Sequence, residues 1–285
     1  MKRIKQLPRF MVTVILFLIF FFPFYWMFIT SVKTLGETVI FPPSMWPEVF
    51  QWQNFQQAFN SIPFMHYLKN SIIITISVLV LQMLTIVPAA YAFSRYEFKG
   101  DKLIFGMIMI TMMIPGQLVF LPLFVMFSNM GLINKLPSLI LPFASSAFGI
   151  FMLRQTFKQV PKELIEAAKL DKAGEFKIIT KIMLPLARPT LTTLALLTFI
   201  STWNDYFWPL TLTTNDSVRT LPVGIASLRQ IESGVNYHIL MAGNVMLVIP
   251  ILIAFLFAQK QIIKAFTYLG CLLYTSDAAD DSLRV

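Results

Sequence analysis

Six long stretches of this chain carry no charged residue at all: 10–32, 70–94, 103–134, 136–153, 189–204 and 233–259. Crossing the hydrocarbon core of a bilayer takes roughly 20 apolar residues in a helix. Each stretch can hold one such helix, the third with length left over for a turn. The runs do not alternate and far exceed strand length, so a sheet is excluded. Charged residues make up 13% of the 285, about half the usual share in a soluble domain. The economical reading is an all-α membrane protein with six transmembrane helices, at about 10–32, 70–94, 104–127, 136–154, 189–212 and 239–259.

Orientation follows from the basic residues, which concentrate in cytoplasmic segments. The segments 1–9, 94–102, 154–188 and the part from Lys260 onward hold 18 of the 23 Lys and Arg. Only Lys33, Lys69, Lys135, Arg219 and Arg229 fall outside. Both termini are therefore expected in the cytoplasm. The net charge of +9 is explained by this topology and calls for no nucleic-acid partner. The N-terminal "MKRIKQLPRF" and the run behind it could pass for a signal peptide, but the run is too long and lacks a small-residue cleavage site. It reads as an uncleaved first span. At the other end, "CLLYTSDAADDSLRV" (271–285) breaks sharply in composition and looks like the translated end of a sequencing-library transposon. That tail is expected to be non-native, and Cys271, the only cysteine, then carries no information on redox compartment.

Within the spans, three places stand out. In "MMIPGQLVFLPLF", Pro115 and Gly116 free backbone groups that a lipid-facing helix could not leave unpaired. Pro115, Gly116 and Gln117 are candidates for a translocation path or hinge, with an ordinary proline kink as the other reading. Ser145, Ser146 and Gly149 are small enough for close helix packing. Asp205, in "STWNDYFWPL", is the only acid in an assigned span. At a helix centre it would cost roughly 2.5–3.5 kcal/mol. With Trp203 and Asn204 it forms a polar, aromatic group suited to sugars, or else it serves a helix end near the outer surface. The outside loop behind span one, rich in Trp, Pro and Gln, fits an interfacial aromatic belt or a docking surface.

The largest inside loop, 159–188, is the charged exception: "QVPKELIEAAKLDKAGEFKIITKIMLPLARP". Pro161 suits a first helical turn, and Glu163 and Glu166 sit near the positive dipole end. Leu164, Ala167, Ala168 and Asp171 share one face by spacing, and that face is mostly small. A second helical piece carries Phe176, Ile179, Ile182 and Met183, closed by Pro185 and Pro189. A small-faced helix fixed between two spans can sink into a groove on a soluble partner and pass its motion into spans four and five. An amphipathic helix lying in the membrane interface is the other reading the physics allows.

This loop resembles the EAA loop of ATP-binding-cassette importer membrane subunits, whose pattern is E-A-A, three residues, G, nine residues, I, one residue, L-P. Glu166, Ala167, Ala168, Ile182, Leu184 and Pro185 match at the right spacing, and Lys172 stands where the family has glycine. Gly174 follows, so the turn, where glycine would take a positive φ at no steric cost, is expected to be shifted by two residues, with Lys172 either a working variant or the mark of a weakened coupling turn. The likeness extends through "NFQQAFNSIPFMHYLKNSIIIT", "AAYAFSRYEFKG" and "STWNDYFWPL" and covers about residues 8–269. It is nearest to the shorter membrane subunit of maltose- and glycerol-phosphate-type importers.

The resemblance implies a multi-pass protein of the bacterial inner membrane that pairs with a second homologous membrane subunit. It further implies two ATPase subunits docked on the EAA helices and an extracytoplasmic solute-binding protein. ATP and Mg would bind the ATPase, and no cofactor this chain. Glu166 would meet a basic or polar group of the ATPase, and Ala167 and Ala168 would form the buried contact. Asp171, Lys172, Gly174 and Ile182 would belong to the same coupling surface, and Leu184 and Pro185 would fix the exit into span five. Nothing resembles a metal cluster, a phosphate-cradling loop or a nucleophile constellation, so the chain is read as a non-enzymatic transport subunit. A self-sufficient secondary carrier would need intramembrane charges, which are nearly absent. Within the importer family, a polyamine, peptide or phosphonate is the alternative to a sugar.

Overall fold

With water excluded, backbone polar groups are satisfied within helices. The computed structural model contains helices and turns but no strand among the described residues. It describes the backbone of residues 2–230 and 236–281 and the side chains of 10–229 and 236–260. The expected non-native tail lies outside the described side chains.

The helices are α1 (Lys2–Ser31), α2 (Leu35–Val39), α3 (Gln53–Asn60), α4 (Phe64–Arg95), α5 (Asp101–Thr111), α6 (Phe120–Asn129), α7 (Leu136–Ile140) and α8 (Ala147–Lys158). They continue with α9 (Lys162–Leu170), α10 (Glu175–Ile178), α11 (Leu184–Leu186), α12 (Arg188–Trp203), α13 (Phe207–Leu212), α14 (Leu221–Ser227) and α15 (Tyr237–Asp281). Among the described residues, four segments are long and apolar enough to cross a membrane: Phe10–Ser31, Phe64–Arg95, Leu136–Lys158 and Tyr237–Lys260. Two bent pairs bring the number to six if each is one span. These are Asp101–Thr111 with Gly116–Asn129, bent by 94°, and Glu175–Leu186 with Arg188–Trp203, bent by 81°.

Three expected spans are thus not single rods. The third breaks at Pro115, whose missing N–H and fixed φ end α5's run. The fourth is interrupted by a 3₁₀ turn, Leu141–Phe143, and restarts at Ser146, whose hydroxyl accepts from the Gly149 amide at 3.2 Å. The fifth divides after Trp203, leaving 204–206 between α12 and α13.

The described residues fall into two compact units. One comprises the part up to Lys69 with Arg219–Pro250, the other Asn70–Val218 with the part from Ile251. In the first unit, the loop behind α1 is folded tightly. Thr34 and Glu37 form a reciprocal capping box on α2, and the Glu37 carboxylate also accepts the Glu48 amide at 2.7 Å. Lys33 is buried, donates to the Ser44 carbonyl and lies 4.7 Å from the Trp26 ring centroid. Asn54 donates to the Ser31 and Lys33 carbonyls at 2.9 and 2.8 Å.

Two apolar clusters lie among the described residues of the second unit. Ile74, Val78, Phe127, Leu139 and Leu212 form one. The other centres on Ile86, Tyr91, Leu153, Phe157, Ile178 and Met183 and underlies the 159–188 loop. Between them, Gln82 in the middle of α4 donates to the Phe143 carbonyl at 2.9 Å and accepts from the Thr198 hydroxyl at 2.8 Å. Thr85 donates to the Ala144 carbonyl at 2.8 Å. These contacts satisfy carbonyls left over at the interruption of the fourth span, as an apolar solvent requires.

Candidate functional site

Helix α9 forms where expected, over nine residues, with Pro161 one position before its start and Glu163 in its first turn. Its ending resolves the question of the missing glycine. Lys172 itself adopts φ 54°, while Gly174 is extended at φ −71°, ψ 160°. The turn is therefore not shifted to Gly174. The Ala173 amide donates to the Ala168 carbonyl and the Lys172 amide to the Lys169 carbonyl, both at 2.9 Å. This is the Schellman pattern, with Lys172 at the left-handed position that glycine usually fills.

The second limb also differs from expectation. Pro185 does not close it; the chain passes through a π-helical stretch, Ile179–Met183, and into α11. A proline ring crowds the carbonyl four residues back, and a wider turn is one way to relieve that crowding. The sharp bend comes at Ala187, which is fully buried.

Helix α9 presents three kinds of surface. Ile165 and, in part, Ala168 pack on the apolar cluster beneath, joined by Ile179 and Leu184. Leu164, Ala167 and Asp171 are exposed. The outward surface continues through Leu170, 84% exposed, and Phe176, 81% exposed. Of the alanine pair expected to meet a partner, Ala167 is thus free to do so, whereas Ala168 is half occupied by its own chain. The opposite face, with Lys162, Glu166 and Lys169, borders a cavity of about 440 Å³ that Arg95, Lys102 and Arg154 also line. Ile182 is half-buried, and Pro185, Lys172 and Gly174 are exposed.

The loop is fastened to α4 by hydrogen bonds that sequence reading missed. Arg95 donates through Nη2 to the Phe157 carbonyl and, at 2.7 Å, to the Val160 carbonyl. Arg154 donates from Nε to the Phe93 carbonyl at 3.0 Å, with its guanidinium 4.0 Å from the Phe105 ring centroid. The Tyr91 hydroxyl donates to the Glu175 carboxylate. That bond, with a second from Tyr96 and the Lys169 ammonium 3.5 Å away, holds the Glu175 carboxyl below its ordinary value. Between α8 and α12, the Thr156 and Thr190 hydroxyls meet at 2.9 Å.

The candidate path residues lie at two helix breaks. Pro115, Gly116 and Gln117 are exposed at the 94° bend. Trp203 is buried and stacked on Phe199, with ring centroids 5.6 Å apart. Asn204 donates to the Ile200 carbonyl at 3.0 Å, and Asp205 accepts the Trp208 amide at 3.3 Å. The Asp205 contact is a helix-end geometry, because it satisfies an orphan amide of α13. Among the described residues no three His, Cys, Asp or Glu side chains gather as a metal-ligand set.

Comparison with known proteins places this architecture. Residues 85–268 match the family described as binding-protein-dependent transport system inner membrane component. The arabinooligosaccharides transport system permease protein AraQ of Halalkalibacterium halodurans is 36% identical over 242 residues, 85% of each chain. The diacetylchitobiose uptake system permease protein NgcG of Streptomyces coelicolor is 32% identical, over 84% of this chain and 80% of the other. Among solved structures, a bacterial ABC transporter involved in the import of the acidic polysaccharide alginate superposes with a TM-score of 0.80 at 25% identity, covering 91% of this chain and 97% of that one. The chain belongs to the family of inner membrane components of binding-protein-dependent transport systems, a family of transport permeases.

Proposed function

We propose that this chain is one of the two membrane subunits of an ATP-driven bacterial importer for a sugar or sugar-like solute, set in the inner membrane with both termini in the cytoplasm. A second, homologous subunit completes the path. An extracytoplasmic protein delivers the solute, and two ATPase subunits bind ATP and Mg. The 159–188 loop is the coupling element, and this chain hydrolyses nothing. The observation that carries the reading is the outward surface of α9 and α10. Leu164, Ala167, Leu170 and Phe176 stand exposed on a loop otherwise anchored by a buried core. Apolar side chains in so polar a loop have a use if a partner covers them. The sugar class rests on the two relatives, whose names specify arabinooligosaccharides and diacetylchitobiose.

The test is to tag the chain near its N-terminus, solubilise it gently from its own membranes and identify what accompanies it. A soluble ATPase and a second multi-span protein are expected, with the ATPase lost from Ala167→Trp and Glu166→Arg variants that still insert. A chain that purifies alone and moves solute in liposomes without ATP would make it a secondary carrier.

A further inference from the structure

In the reading above, the stroke of an ATPase reaches spans four and five because the coupling loop is their covalent continuation. The structure adds a connection that no continuity of chain supplies. The last turn of α4, the second span, holds both limbs of the loop. On the entry limb, Arg95 takes the carbonyls of Phe157, in the last turn of α8, and of Val160, just beyond it. On the exit limb, Tyr91 donates to the carboxylate of Glu175, the first residue of α10 and 84 residues away in sequence. The core beneath, with Tyr91, Phe157 and Ile178 buried together, resists separation. Apolar contact is non-directional, however, and would let the loop turn or slide. Hydrogen bonds to charged groups are directional and stronger than neutral ones.

We infer that Tyr91 and Arg95 are positioning residues for coupling: with Glu175 they latch the loop to the second span, which moves with it when the ATPase pulls. This inference rests on the importer reading. Its mechanical content is specific, in that α4 responds to ATP through the Tyr91–Glu175 contact rather than through the exposed Lys169–Glu175 ion pair.

The experiment uses the purified complex and follows amide hydrogen exchange with and without Mg–ATP at two places, the last turn of α4 and the first turn of α12. In the unaltered complex both should change. In Tyr91→Phe and Glu175→Ala, the change at α4 should fall by about fivefold, the scale of one net hydrogen bond, while that at α12 persists. Glu175→Gln, which still accepts the tyrosine hydrogen, should retain most of the response, and Lys169→Ala all of it. An α4 response equal to the unaltered one in Tyr91→Phe would overturn the latch. So would an equal loss in Lys169→Ala, or loss of the ATPase from the Tyr91→Phe and Glu175→Ala complexes, since the contact would then only support the docking surface. If no ATPase accompanies the unaltered chain, the importer reading itself fails. A response at α12 without one at α4 sinks only the latch.

Discussion

Replacing Lys172 with glycine is expected to tighten the turn after α9. Lys172 holds φ 54° to make the two 2.9 Å Schellman bonds. A non-glycine residue in the left-handed region costs about 1–2 kcal/mol through its Cβ. Glycine removes that cost but returns about 0.5–1 kcal/mol as extra freedom in the open chain. The difference is a net gain of about 0.5–1 kcal/mol, a roughly two- to fivefold lower population of the opened turn. The Ala173 amide reports it directly, since its bond to the Ala168 carbonyl exists only when the turn is closed. Its hydrogen exchange should slow by that factor in Lys172→Gly and quicken in Lys172→Val, whose branched Cβ fits a positive φ worst. Exchange that is faster in the glycine variant, or unchanged in the valine one, would refute the reasoning and return the turn to Gly174.

Gly149→Ala would place a Cβ 2.5 Å from Cδ1 of Ile86, itself buried. A loss of about 1–3 kcal/mol is expected, seen as a lower melting temperature in detergent and partly restored by adding Ile86→Val. Gln82→Leu leaves the Phe143 carbonyl and the Thr198 hydroxyl without their partner on α4. Interhelical bonds of this kind are worth about 0.6 kcal/mol and up to about 1.7, so a leucine variant as stable as the parent would show the network idle. Burial alone would raise the Glu37 carboxyl, but the amides of Thr34 and Glu48, with the Thr34 hydroxyl, more than offset this and leave it below its ordinary 4.5. A depressed carboxylate stabilises the fold above its unfolded value, and the benefit disappears as pH falls through the lower folded one. The melting-temperature advantage over Glu37→Gln should accordingly hold from pH 7 to 5 and vanish on further acidification.

The 159–188 loop was legible as a candidate site because its charges stand out from an apolar chain, and because a motif at fixed spacing reports what local sequence must do. The same local logic placed α9, the small-residue packing at Gly149 and the break at Pro115. It did not reach Leu170 and Phe176: whether an apolar residue in a helical loop faces core or solvent depends on which face the core occupies. A faint signal existed, since Ile165 and Ile178 could serve as the buried alternatives. Nor did it reach Tyr91, Arg95 and Glu175, each unremarkable alone and joined only when distant helix ends meet.

Hydrophobic run length, basic-residue asymmetry and motif spacing are properties of neighbouring residues, and these alone determined the helical class, the candidate spans and the family. Tertiary structure decided the rest. The break within the fourth span persists because Gln82 and Thr85 satisfy it from another helix. Lys172 takes the place of a glycine because the Schellman bonds and the packing of Ala168 on the core hold it there. Which face of α9 looks outward was settled by the core beneath it, and the loop is fastened to α4 because a tyrosine and an arginine near the end of that helix reach across to it.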